Sequence, residues 1–164
     1  MVGMAHSAPL PTLRATRVTD RKTYPERPYL AVSAAIVRKG RVLLVRRARR
    51  PALGLYTLPG GVVEAGETLR AAVEREVREE TGMAIEPVGI AGHREAIVRD
   101  GAGRVERHFV ILAFAARWIA GEPALNEELA EARWVEPAEI AALATTEGLA
   151  EIVAAAVERL ARAG

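Results

Sequence analysis

Residues 61–83 read "GVVEAGETLRAAVEREVREETGM", and the rest of the chain is best read outward from them. From Glu67 to Thr81 the apolar residues Leu69, Val73 and Val77 recur every four positions, which predicts an amphipathic helix. Gly82 stands where a helix-ending glycine belongs. The polar side is unusual, because Glu76, Glu79 and Glu80 crowd the last turn. Like charges four residues apart cost about 0.2–0.5 kcal/mol a pair, and the negative end of the helix dipole disfavours each acid by about 0.3–1 kcal/mol. Residues three and four apart share a face, so these carboxylates are expected to project together at the rim of a cleft, with small Ala72 one turn earlier leaving space.

Clustered carboxylates are ligands for a hard cation, Mg²⁺ or Mn²⁺, which would make the clustering favourable. Taken alone, "REVREE" is better read as a solvated face with Arg75 and Arg78 screening the acids. The residues just before the helix change that reading. "LPGGVVEAGE" places a proline and two glycines ahead of it, and adjacent glycines let backbone approach a ligand closely.

Further out, residues 29–47 hold two β-rich runs around Lys39 and Gly40, and residues 84–98 and 105–119 read as long strands flanking the turn "RDGAGR". A short strand, "RWV", precedes Pro137, which suits the first position of a short helix. The final helix, near residues 146–163, places Leu149, Ile152, Val153, Ala156, Val157 and Leu160 on one face. This order predicts an α/β (α+β) fold with helices covering a mixed β-sheet. Residues 1–28, broken by Pro9 and Pro11, read as a flexible N-terminal arm, and residues 29–164 as one domain.

The composition narrows the function. Half of the 164 residues are hydrophobic and none is cysteine, so a disulfide framework, a cysteine metal site and a cysteine nucleophile are excluded. Twenty-three basic against 21 acidic residues leave a net charge of +2, which argues against nucleic acid as the partner and suits an anionic small molecule. No apolar run approaches a membrane span and no signal peptide opens the chain, so no membrane partner and a cytoplasmic location are expected. His93 and His108 sit on predicted strands without metal-ligand spacing, which disfavours zinc.

The joint spacing carries the resemblance. Gly61, five residues, Glu67, seven residues, then Arg75-Glu76-Val77-Arg78-Glu79-Glu80-Thr81-Gly82-Met83 resembles the Nudix box, G-x5-E-x7-R-E-U-x-E-E-x-G-U, with Val77 and Met83 as the aliphatic U positions. Every fixed position is present, and the box covers residues 61–83. The resemblance implies a Nudix fold and a divalent-metal-dependent pyrophosphohydrolase that cleaves a nucleoside diphosphate linked to another group. It implies Glu76 and Glu80 as metal ligands, Glu79 as a further ligand or the group acting on the attacking water, and the Gly60 carbonyl as part of the shell. Arg75 and Glu67 would form an ion pair orienting the loop and helix.

A further acid often comes from a loop outside the box. Glu127, Glu128 and Glu131 are the candidates, with Glu128 favoured, and Glu64 has a lesser claim. Arg46 or Arg47, from "RRARR", is expected to contact the substrate, since arginine matches phosphate geometry. Two substrate branches are implied, nucleoside triphosphates including oxidised dNTPs, or ADP-ribose and its kin. The second branch often carries a proline about fifteen residues past the box, where this chain reads "EAIVRD". A non-catalytic nucleotide-sensing Nudix domain is the alternative, disfavoured by the intact box. A homodimer is a candidate assembly, as in many relatives.

Overall fold

The computed structural model describes residues 21–164, so the first twenty residues of the expected arm lie outside the described residues. Seven strands and two α-helices follow in the order β1 (Tyr29–Arg38), β2 (Arg41–Arg47), β3 (Tyr56–Thr57), β4 (Gly60–Val62), α1 (Leu69–Thr81), β5 (Ala84–Arg99), β6 (Val105–Ala120), β7 (Leu129–Val135) and α2 (Leu149–Arg162). A 3₁₀ turn, Pro137–Ala142, connects the last two.

Strand β1 organises the sheet. It runs parallel to β6 from Tyr29 to Val37, and β5 pairs antiparallel on the far side of β6. On its other edge β1 has two partners. Its end pairs with β2 through Val37 and Arg38, and its start pairs with β4 from Ala31 to Ser33. The first two strands therefore diverge, and the short glycine-rich β4 fills the opening. Strand β7 lies on β2 from Val42 to Arg47.

Alternation along the strands divides the apolar side chains between two cores. On one face Val32, Ala34, Ile36, Leu43, Phe114 and Ala116 pack against Ala72, Val73 and Val77 of α1. On the other, Ala35, Val42, Leu44, Ala113 and Ala115 pack against Leu149, Ile152, Val153 and Ala156 of α2. The result is the expected mixed sheet between helices.

Several local expectations shift. Helix α1 starts at Leu69 because Thr68 caps it, its side chain accepting the Ala71 N–H at 3.1 Å, and Glu67 is left outside the helix. Ala72 is fully buried in the core beside Val73. Helix α2 starts at Leu149, after Gly148 at φ 76°, because Thr146 is taken up by β3. The Thr146 N–H donates to the Tyr56 carbonyl at 3.0 Å, and its hydroxyl bonds that of Thr57 at 3.2 Å. "RWV" extends to seven residues because β2 offers it a long edge.

Ahead of β1, residues 21–24 are fastened to the β5–β6 hairpin. The Tyr24 N–H donates to the Glu106 carbonyl at 2.8 Å, its hydroxyl to Asp100 at 2.9 Å, and the Tyr29 hydroxyl to the Arg21 carbonyl at 2.6 Å. Desolvation pushes the Asp100 carboxyl up, but the Arg104 N–H, the Tyr24 hydroxyl, the Arg104 guanidinium and the Ala102 N–H outweigh it and bring it down to about 2. Among the described residues no helix is long and apolar enough to cross a membrane.

Thr68→Ala removes the α1 cap and is expected to cost about 1 kcal/mol in urea unfolding. An unchanged midpoint would show that the cap contributes nothing.

Candidate active site

The site is built where the C-terminal half of α1 meets β4. Gly82 ends the helix in the left-handed region at φ 74°, its N–H donating to the Arg78 carbonyl at 2.8 Å. Side-chain-free backbone lets the helix come close. A Cβ on Gly61 would lie 2.3 Å from the Glu76 carboxylate carbon, and one on Gly60 would lie 2.0 Å from the Val32 carbonyl oxygen. The two glycines thus provide a surface on which the carboxylates rest.

Glu80 is the most deeply placed acid, only 6 % exposed, and accepts the Gly60 N–H at 3.0 Å. Burial pushes its carboxyl up to about 7. The Gly60 N–H and Arg47 counter this, while Glu76 and Glu128 add to it. Glu76 is likewise raised, first by burial, against the pull of Arg75. Glu79 behaves differently. Its side chain is 61 % exposed and reaches Arg75 Nη1 at 3.2 Å, the same nitrogen that donates to Glu76, so it forms the exposed end of the cluster.

Arg75 is saturated. Its Nε and Nη2 donate to the two Glu67 oxygens at 3.1 and 2.6 Å, Nη2 also to the Val62 carbonyl at 3.1 Å, and Nη1 to Glu76 at 2.8 Å and Glu79 at 3.2 Å. Hydrogen bonding to Glu67 raises the guanidinium pKa further above its ordinary value, and the same bond lowers that of Glu67. Glu64 lies 4.0 Å from Arg75 and is largely exposed.

A family description of the NUDIX domain matches residues 27–156, most of the chain. This chain belongs to the Nudix family. Over 109 residues it is 34 % identical to an ADP-ribose pyrophosphatase of Methanocaldococcus jannaschii, covering 66 % of this chain and 62 % of that protein. Over 114 residues it is 37 % identical to a putative 8-oxo-dGTP diphosphatase 2 of Mycobacterium tuberculosis, covering 68 % and 75 %. A MutT NUDIX hydrolase from Burkholderia pseudomallei has a similar structure, with a TM-score of 0.68 and 30 % identity, covering 79 % of this chain and 98 % of that one.

Nudix hydrolases need divalent metal ions, and the box residues here suit one. A buried carboxyl raised to about 7, with Glu76 and Glu128 adding negative charge against the Gly60 N–H and Arg47, is the environment a hard cation would relieve. Among the described residues no three acidic or histidine side chains are gathered tightly enough to form a ready-made shell. Glu76 and Glu79 are both bonded to Arg75 Nη1.

Outside the Nudix box the register separates the candidates. Arg46 and Arg47 are consecutive on β2 and so face opposite sides of the sheet. Arg47 acts on Glu80 and donates through Nε to the Pro51 carbonyl at 2.9 Å. Arg46 lies on the α2 side, opposite Glu131 of β7, with its buried Nε 3.4 Å from that carboxylate and without a hydrogen-bond partner. Glu131 is held there by the Tyr56 hydroxyl at 2.8 Å. Glu127 is exposed and pairs with Arg49 at 3.1 Å. Of the three candidate acids, Glu128 acts on Glu80 and raises its pKa. Strand pairing decides all of this, and no periodicity in the sequence revealed it.

In metal-free protein the raised Glu80 carboxyl binds its proton more tightly when folded than when unfolded. That contribution to stability is complete below the ordinary value of 4.5 and is lost as pH rises through about 7. With chelator present, Glu80→Gln should melt close to the parent at pH 4.5 and several degrees above it at pH 8.5, on a scale of about 2–4 °C per kcal/mol for a domain of this size. A constant offset across that range in thermal melts would refute the assignment.

Proposed function

We propose that this Nudix domain is a Mg²⁺-dependent (or Mn²⁺-dependent) pyrophosphohydrolase that cleaves a nucleoside diphosphate linked to another group. The observation that carries the proposal is the buried Glu80 carboxyl, set against the Gly60 N–H with Glu76 and Glu128 acting on it. Glu76 and Glu80 would hold the ion, with Glu128 offering a third carboxylate and the Gly60 backbone lying alongside. When bound, the ion supplies charge neutralisation at the diphosphate oxygens and makes a nearby water more acidic.

The protein's own groups do the rest. Arg75 holds Glu67 and the Val62 carbonyl on one side and Glu76 on the other, which fixes loop to helix. Arg75 and Glu67 are therefore positioning residues. Glu79, exposed and tethered to Arg75, is placed to take a proton from water on the solvent side. Arg47 is the β2 arginine on the carboxylate side and would meet the substrate phosphate. Arg46 faces away and is proposed instead to hold Glu131 and Tyr56 in place.

Both named relatives support a nucleotide diphosphate as the substrate class, one acting on ADP-ribose and the other a putative 8-oxo-dGTP diphosphatase. A panel of NTPs, 8-oxo-dGTP, ADP-ribose, nucleotide sugars and dinucleoside polyphosphates should contain at least one substrate cleaved with Mg²⁺ or Mn²⁺. Glu80→Gln should lower kcat on it by about 10³-fold or more. Failure of the whole panel would overturn the enzyme reading.

A second comparison assigns the loop acid. Glu128→Gln should lower kcat at least about tenfold, whereas Glu127→Gln should stay within about twofold. Glu131→Gln is expected to act on thermal stability through Tyr56. Equal loss of kcat from Glu127 and Glu128 would remove Glu128 from the site.

A further inference from the structure

The end of β1 away from the carboxylates carries cations that the hydrolytic site does not use. Strand β1 meets β4 at Ala31–Ser33 and runs on to Arg38 and the turn into β2, roughly 16 Å further at the rise of an extended strand. A cleft of about 480 Å³ opens there, lined by Val37, Arg38, Lys39, Arg117, Trp118 and Leu160. Its lining holds three cations and no acid. A volume of this order takes a small molecule.

The two arginines are held in place before any ligand arrives. The Arg38 guanidinium stands over the Trp118 ring, 3.9 Å from its centre, and 5.8 Å from the centre of Trp134. Its Nη1 donates to Glu122 at 2.7 Å. Arg117 lies opposite Val37 in the β1–β6 pairing, and its Nη2 donates to the Leu160 carbonyl of α2 at 3.4 Å. Its Nη1 is 3.9 Å from Glu86, beyond hydrogen-bond reach. Both acids stand outside the lining, and their side chains are 70 % and 50 % exposed, so water screens them. Lys39 is the unexpected residue. With Gly40 it forms a two-residue turn in which both φ are positive, 50° and 76°, while Arg38 pairs with Arg41. Glycine or asparagine suits such a turn, and a lysine there is strained. Among the described residues the Lys39 ammonium has no hydrogen bond or ion pair to offset that strain. Strain kept at the edge of a cleft points to a use for the side chain.

We propose that this cleft is a second, non-catalytic anion site that takes a phosphate-type oxyanion. The free N–H groups of Arg38 and Arg117 meet its oxygens, and the Lys39 ammonium closes over it from the turn. Planar guanidiniums match phosphate geometry, and an ammonium adds a point charge. Free phosphate or pyrophosphate and the phosphate of a mononucleotide share this chemistry. The site stands apart from the hydrolytic one and does not rest on the pyrophosphohydrolase reading.

The chain's two tryptophans both stand beside the Arg38 guanidinium, so intrinsic fluorescence reads the cleft directly. The full chain is titrated with phosphate, pyrophosphate and AMP at an ionic strength held constant with chloride. Chelator is present, so that no metal ion draws the anion to the carboxylates. At least one of the three should give a saturable change in emission, and Lys39→Gly and Arg117→Ala should each raise its Kd about tenfold. Lys39→Gly also relieves the turn, so it should melt at or above the parent, which separates lost binding from lost folding. Glu80→Gln should bind as the parent does. Tighter binding of pyrophosphate than of AMP assigns the site to the free anion, and the reverse order assigns it to a mononucleotide. No saturable change in emission or in calorimetric heat overturns the proposal. So does a Kd that Lys39→Gly and Arg117→Ala leave unmoved, or one that Glu80→Gln raises.

Discussion

Close approach of α1 to β4 is the constraint on which the rest of this structure depends. Backbone of β1 occupies the space a Gly60 side chain would need, and a side chain at Gly61 would displace the Glu76 carboxylate. That approach puts Glu80 in reach of the Gly60 N–H and buries it. It also brings the Val62 carbonyl and Glu67 to Arg75, so the strand, the loop and the helix are joined by one guanidinium. The divergence of β1 from β2 creates the opening into which β4 fits, and the two-sided core holds that opening fixed.

The cost of this arrangement is electrostatic. A carboxyl with its pKa raised to about 7 is a poor choice for stability, and a glutamine would serve the fold better at neutral pH. The acid belongs to the site at the expense of the fold, as perturbed groups at functional positions often do. The compensation is incomplete, since one backbone N–H and the charge of Arg47 face the burial of Glu80 and the like charges of Glu76 and Glu128.

Much of this was legible in the sequence, for a physical reason. Helical periodicity and a glycine-bounded turn are local properties, so α1 and its ending at Gly82 could be read from spacing, whereas the grouping of Glu67, Arg75, Glu76 and Glu80 was implied by the resemblance to the Nudix box. The identity of the loop acid and of the useful arginine depends on which strand lies beside which. Glu131 looks no different from Glu128 in sequence, yet pairing with β2 turns it to the α2 side, where Tyr56 and Arg46 hold it. The same alternation sends Arg46 and Arg47 to opposite faces. Glu79 resisted reading for another reason. Its spacing from Glu76 permits a shared face, and both bond Arg75 Nη1, but Glu79 is 61 % exposed where Glu80 is buried, a difference in depth that spacing does not carry.

The saturation of Arg75 has a consequence for how the protein is made. A guanidinium is permanently charged, so the acids around it have a built-in counterion as soon as the chain collapses. The loop, strand and helix can lock together without waiting for an ion from the surroundings. Glu67, Glu76 and Glu79 thus carry their counterion within the chain, whereas the acids and thiols of small zinc domains depend on metal uptake for theirs.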